Sequence, residues 1–168
     1  MRAIKVVDYD PSWPLLFAEM RAEVSDRLGD LLLRVEHIGS TAVPGLAAKP
    51  KIDLDAVMVS DAVLPAAIER VQMGDFAFHG DLHGAGRWAF TRDREGYGFR
   101  LYLCGPDNVA HRERILFRDY LRAHPGRAAE YAALKRQLAT EANGDWDFYT
   151  GGKGEFVRET VRLAELKL

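Results

Sequence analysis

Apolar positions recur along this chain at two spacings. Trp13, Leu16, Phe17, Met20, Val24 and Leu28 fall three and four apart, which predicts an amphipathic helix. Asp10 offers an N-cap, Pro11 suits the first helical position, and Gly29 is the stop. Residues 2–7 alternate weakly, as an edge strand or a tail docked on the core. A mostly apolar strand, 31–38, then runs into Gly39-Ser40, and the strand 51–59 follows a Pro- and Gly-punctuated connection. After it, Ser60 or Asp61 caps a helix whose inner face is Val63, Leu64, Ala67, Ile68 and Val71, with Gly74 as its end. Residues 76–78 begin a short strand and 79–86 form a glycine-rich loop. Strands 88–91 and 97–103 pair across a turn at 92–96. Helices are predicted over 108–123, 125–142 and 154–166.

Strands followed by a run of helices argue for an α+β fold rather than a doubly wound one. With 168 residues and no linker composition, one domain over 1–168 is expected. The formal net charge of −2 gives no general pull towards nucleic acid or an anionic membrane. The lone Cys104 rules out an intrachain disulfide and suits a reducing, cytoplasmic setting, as a buried and inert thiol. Neither a signal-peptide apolar region nor a segment of membrane-spanning length is visible.

The chemistry concentrates in 35–59, VEHIGSTAVPGLAAKPKIDLDAVMV. In the strand, alternation puts Asp53 and Asp55 on one face and Ile52 and Leu54 on the other. Two carboxylates roughly 6–7 Å apart by strand rise can converge on one hard cation. Gly39 lets the backbone approach a ligand closely, and Ser40 adds a hydroxyl and an N–H. The competing reading of the Asp pair, a solvated strand face, loses ground because Gly-Ser precedes it. Together these are parts of a Mg²⁺–nucleotide site.

The stretch resembles the GrpB family, part of the nucleotidyltransferase superfamily that includes polymerase β. The resemblance rests on Tyr9-Asp10-Pro11-Ser12-Trp13-Pro14, on the run from His37-Ile38-Gly39-Ser40 to Lys49-Pro50, and on Asp53. It continues in Phe117-Arg118-Asp119-Tyr120-Leu121-Arg122, Tyr131, Leu134-Lys135, Tyr149, Lys153 and Phe156. It implies a small mixed sheet with packed helices and a helical C-terminal region. It also implies Mg²⁺-dependent nucleotidyl transfer, with Asp53 and Asp55 holding metal. Arg118, Lys135, Tyr149 and Lys153 would then face the site. In the superfamily a third carboxylate on a later strand completes the metal site.

Here that later strand carries none. Alternation leaves Arg100 and Tyr102 on the face opposite Phe99, Leu101 and Leu103, where the family is histidine-rich. Arg100 can grip a phosphate but cannot be a base or a metal ligand. Lys51, where the family has an apolar residue, pairs with Asp53 or meets a polyphosphate. Two readings therefore stand: a nucleotidyltransferase acting on an unknown acceptor, or a non-catalytic nucleotide- or anion-binding protein. An accessory role in coenzyme A or nucleotide metabolism, implied by the family's fusions to dephospho-coenzyme A kinase, is a third.

Other groups weigh less. Arg114, Arg118 and Arg122 lie four apart on one helical face, either solvated with Glu113 and Asp119 or turned to phosphates. Gly151-Gly152-Lys153-Gly154 lacks P-loop spacing and its Ser/Thr. His79 and His83 sit among glycines, without further ligands for zinc. His37 is expected to hydrogen-bond the Gly-Ser loop.

Overall fold

The computed structural model describes residues 3–168. Among these, β1 (Leu32–Ile38), β2 (Lys51–Met58), β3 (Ala77–Gly80), β4 (Trp88–Arg94) and β5 (Tyr97–Cys104) form one sheet, ordered β1-β2-β5-β4-β3. β2 and β5 run parallel, with Asp53 beside Arg100 and Asp55 beside Tyr102. The other neighbouring pairs are antiparallel. The fold is thus α+β, as expected from the element order, and its sheet is mixed, as the resemblance implied.

Pleating sorts the residues of the two central strands. Ile52, Leu54, Leu101 and Leu103 are fully buried against α1 (Trp13–Leu28) and α2 (Leu64–Gln72), where Trp13, Met20, Val24, Leu28, Ala67 and Val71 meet them. Each such aliphatic side chain contributes roughly 1.5–3 kcal/mol by burial. The odd-numbered positions of β2 and the even-numbered ones of β5 face the other way. That face receives α3 (Val109–Ala123), whose His111 reaches Asp55 and whose Arg118 reaches Glu36. Then come α4 (Pro125–Glu141), α5 (Trp146–Gly151) and α6 (Gly154–Glu165).

Several local expectations are corrected. α1 starts at Trp13, because Asp10 caps a preceding turn by accepting the Ser12 N–H at 2.8 Å. β4 extends through 92–94, leaving only Glu95-Gly96 as the turn, with Gly96 at φ 81. Arg92, read as a turn residue, is buried over the Phe76 ring at 3.9 Å and paired with Glu23 and Asp75. The separator 143–153 holds α5, capped by the Asp145 side chain on the N–H groups of Asp147 and Phe148. The N-terminal segment is a docked tail. Val7 bridges Ala48, and Ile4 packs with Leu138 and Tyr149. Arg2, in the predicted strand, lies outside the described residues. Cys104 is buried, and that burial pushes its thiol up to about 12. Among the described residues no helix is long and apolar enough to cross a membrane.

Candidate functional site

At the end of β1 the chain must turn sharply and still admit the neighbouring strand. Gly39 does both, at φ 74 and ψ −174. A Cβ there would lie 2.5 Å from Asp53 Oδ2, so this turn and this carboxylate require glycine between them. Ser40–Ala42 then form a short 3₁₀ turn. His37 secures it, with Nε2 2.9 Å from Thr41 Oγ1 and its ring stacked on Phe17. Burial, with Arg122 and Arg118 nearby, lowers the His37 pKa to about 4, so the ring is neutral.

Against this turn opens a cleft of about 400 Å³. Its sheet wall is Gly39, Ser40, Lys51, Asp53, Arg100 and Tyr102, and its helical wall includes Arg114, Tyr131, Lys135, Tyr149 and Lys153. Eight of the ten residues predicted for the site are therefore brought together. Asp55 and Arg118 are not among its lining residues.

Asp55 is fully buried, and both its oxygens are taken. Arg87 Nη2 donates to Oδ1 at 2.5 Å, and His111 Nδ1 lies 2.7 Å from Oδ2. Alternation put Asp55 on the right face, but long-range partners cover it. Asp55 is not placed to share a cation with Asp53. Arg118 is spent on Glu36 at 2.8 Å, the His37 carbonyl at 3.0 Å and Asp119 at 2.9 Å, fastening α3 to β1. Arg122 donates to the Ala42 carbonyl, so of the three-arginine stripe only Arg114 lines the cleft. Lys51 pairs with Asp93 at 2.6 Å rather than with Asp53.

The cleft is strongly electropositive. Six lysines and arginines line it, Lys49 among them, against two carboxylates, Asp53 and Glu113. The ammonium groups rest on aromatic faces. Lys49 Nζ is 4.6 Å from the Trp146 ring centroid and 4.8 Å from that of Tyr149, and Lys153 is 4.4 Å from Tyr149. Lys135 is buried, donates to the Ala47 carbonyl and lies 4.7 Å from the Tyr131 centroid. Burial first, then neighbouring positive charge, lowers Lys49 and Lys135 to about 7. Lys153 falls to about 8 through burial, with Asp53 opposing the shift. Burial raises the Asp53 pKa, with Arg100, Arg114 and Lys49 acting against it.

Two polar atoms here are shut off from solvent and meet no hydrogen-bond partner among the described residues, Asp53 Oδ1 and Tyr149 Oη. Buried polar atoms are normally satisfied, and an orphan needs a reason. A cleft with surplus basic groups, an unpartnered oxygen on Asp53 and an unpartnered phenol on Tyr149 is chemically fitted to an anionic ligand that also donates or carries a cation.

The sequence model of the GrpB family, described as GrpB protein, matches residues 3–162. The chain belongs to the GrpB family. It is 32% identical to UPF0157 protein YqkA of Bacillus subtilis, with 98% of this chain aligned. It spans about half (48%) of that relative's length. Against UPF0157 protein BH1888 of Halalkalibacterium halodurans it is 32% identical over 96% of this chain and 83% of that protein. A Dephospho-CoA kinase of Mycolicibacterium paratuberculosis matches at 30% identity over 96% of this chain but 46% of its own length. Among solved structures, the conserved protein GrpB from Enterococcus faecalis superposes with a TM-score of 0.88 at 29% identity, covering 97% of this chain and 98% of that one. A chain of the GLD-2/RNP-8 complex superposes at a TM-score of 0.58 and 13% identity, covering 85% of this chain and 58% of that one, a likeness of fold alone.

The sequence reading missed Lys49, Arg87 and His111. Lys49 stands in the family run but in a loop, where no periodicity assigns a face. Arg87 and His111 lie 32 and 56 residues from Asp55, and no local spacing links them to it.

Proposed function

We propose that this protein binds a nucleotide or a related phosphorylated small molecule, with the polyphosphate in the cleft on Lys49, Arg100, Lys135 and Lys153. The observation that carries this reading is the basic lining, six lysines and arginines against two carboxylates around otherwise unpartnered polar atoms. Arg100 has no ion pair among the described residues, and its fork geometry suits phosphate oxygens.

The fold's relatives imply Mg²⁺. Two-ion catalysis needs several carboxylates to hold ions close together against their mutual repulsion. The cleft offers Asp53 and Glu113, while Asp55 is committed to Arg87 and His111, and Arg100 and Arg114 add positive charge. Among the described residues no group of three metal-ligating side chains occurs. This donor set does not fit a pair of divalent ions. A second reading, nucleotidyl transfer to an acceptor, is favoured by the Gly39-Ser40 turn closing on Asp53.

A thermal-shift screen tests the proposal, using nucleotides, dephospho-coenzyme A and tripolyphosphate, each with Mg²⁺ and with chelator. Dephospho-coenzyme A is included because a relative is called a dephospho-CoA kinase. A ligand at 100 times its Kd adds about 2.7 kcal/mol. Stabilisation that persists in chelator and falls in Arg100→Ala is expected. Silence from every phosphorylated compound contradicts the proposal. Stabilisation confined to Mg²⁺, unaffected by Arg100→Ala, favours the transferase.

A further inference from the structure

A second depression, of about 770 Å³, opens beside the cleft. The N-terminal segment, the β4–β5 turn and Trp146 bound it, and Lys49 and Lys51 line both spaces. Its character differs from that of the cleft. Tyr9, Tyr97 and Trp146 present ring surface, and the carboxylates around them are already engaged. Asp8 pairs with Arg136, Asp10 holds the Ser12 N–H, and Asp93 pairs with Lys51. Of its basic lining, Lys51 pairs with Asp93 and Arg94 with Asp75, and what remains is Lys5, Lys49 and the aromatic rings. Trp146 is 36% exposed, a large amphipathic ring left partly in water at the rim.

Lys49 stands at the junction of the two spaces, its ammonium on the Trp146 face and its neighbour Tyr149 in the cleft. A ligand crossing this junction passes from the basic cleft into a groove where Tyr9, Tyr97 and Trp146 add flat ring surface. That sequence of environments matches phosphate, then sugar, then base.

We propose that the groove receives the nucleobase of the ligand, stacked against Trp146 and Tyr97, while the polyphosphate lies in the cleft. This rests on the nucleotide reading above. Stacking on aromatic side chains tolerates every base, because each has a π face, and is worth about 1–3 kcal/mol per base. The lower half of that range corresponds to about five- to thirtyfold in Kd.

Calorimetric titration of the full chain with tripolyphosphate and with ATP, CTP, GTP and UTP tests this, repeated on Trp146→Ala and Tyr97→Leu. The expected result is that ATP binds the unmodified protein about tenfold more tightly than tripolyphosphate. The four nucleotides should then lie within about threefold of one another. In Tyr97→Leu the advantage of ATP over tripolyphosphate falls below about threefold, while tripolyphosphate itself changes less than about twofold. That unchanged binding also shows that the variant is folded. Equal affinity of ATP and tripolyphosphate for the unmodified protein overturns the groove assignment but leaves the cleft standing. So does an advantage that survives in both variants. Binding of neither probe overturns the cleft reading and the groove with it.

Discussion

Lys135 is a test of whether the cleft is maintained for a ligand at the expense of stability. Its side chain is 2% exposed on α4 and donates to the Ala47 carbonyl, with no carboxylate paired to it among the described residues. Burial, then Lys153, Lys49 and Arg136, lowers its pKa from 10.5 to about 7. The sign follows from proton binding. Between about pH 7 and pH 10 the unfolded chain holds a proton that the folded chain does not, so folding stability rises with pH across that window. Below pH 7 the folded protein carries the buried charge at full cost. At about 1.4 kcal/mol per tenfold change in proton affinity, that cost is on the order of 5 kcal/mol, part of it shared with the neighbouring lysines. Lys135→Met removes the charge but leaves the Ala47 carbonyl without its donor, a loss of roughly 1–3 kcal/mol. The variant should therefore be about 1–3 kcal/mol more stable than the parent at pH 6 by urea unfolding. That gain should vanish by pH 9, and tripolyphosphate affinity should drop about tenfold. Equal destabilisation at both pH values refutes the reasoning, because Lys135 would then be a structural strut.

Arg100→Ala removes a guanidinium from the sheet wall, and loss of charge-assisted contacts worth about 1.5–3 kcal/mol should weaken nucleotide binding roughly ten- to hundredfold by calorimetry. Asp55→Ala should cost about 3–5 kcal/mol in denaturant unfolding, because it leaves Arg87 buried without its partner. Below the unfolding transition, its polyphosphate affinity should stay within about threefold of the parent. Lys49, Lys135 and Lys153 titrate at about 7, 7 and 8, and a bound anion favours their charged forms. Binding should take up on the order of one to two protons near pH 8 and weaken as pH rises from 6 to 9, read from calorimetry in buffers of different ionisation enthalpy.

The sheet and its buried face were legible because they obey short-range rules. Ile52, Leu54, Leu101 and Leu103 alternate with polar residues, and α1 repeats every three or four positions, so each pattern names its own inner face. Gly39 and Asp53 were legible as parts of one site, but the sequence assigned the glycine to a ligand's approach, whereas the structure sets the Asp53 carboxylate against it. What alternation cannot show is what covers a face. It placed Asp53 and Asp55 together, yet Arg87 and His111 close over one of them and leave the other in the cleft. Arg92 misled in the opposite sense. A charged residue beside a turn reads as exposed, whereas Glu23, Asp75 and the Phe76 ring together make its burial acceptable. The short helix α5 escaped notice because its six residues carry too little periodicity to separate it from a loop.

The central claim is that the cleft holds polyphosphate by its own cations and does not assemble a two-ion centre. A crystal structure with a non-hydrolysable ATP analogue and Mn²⁺, with manganese located by anomalous scattering, tests it most directly. The account predicts phosphate oxygens against Lys49, Arg100 and Lys153, at most one manganese beside Asp53, and Asp55 still joined to Arg87 and His111. Two manganese ions bridging Asp53 and Asp55, with Arg87 displaced, would contradict it.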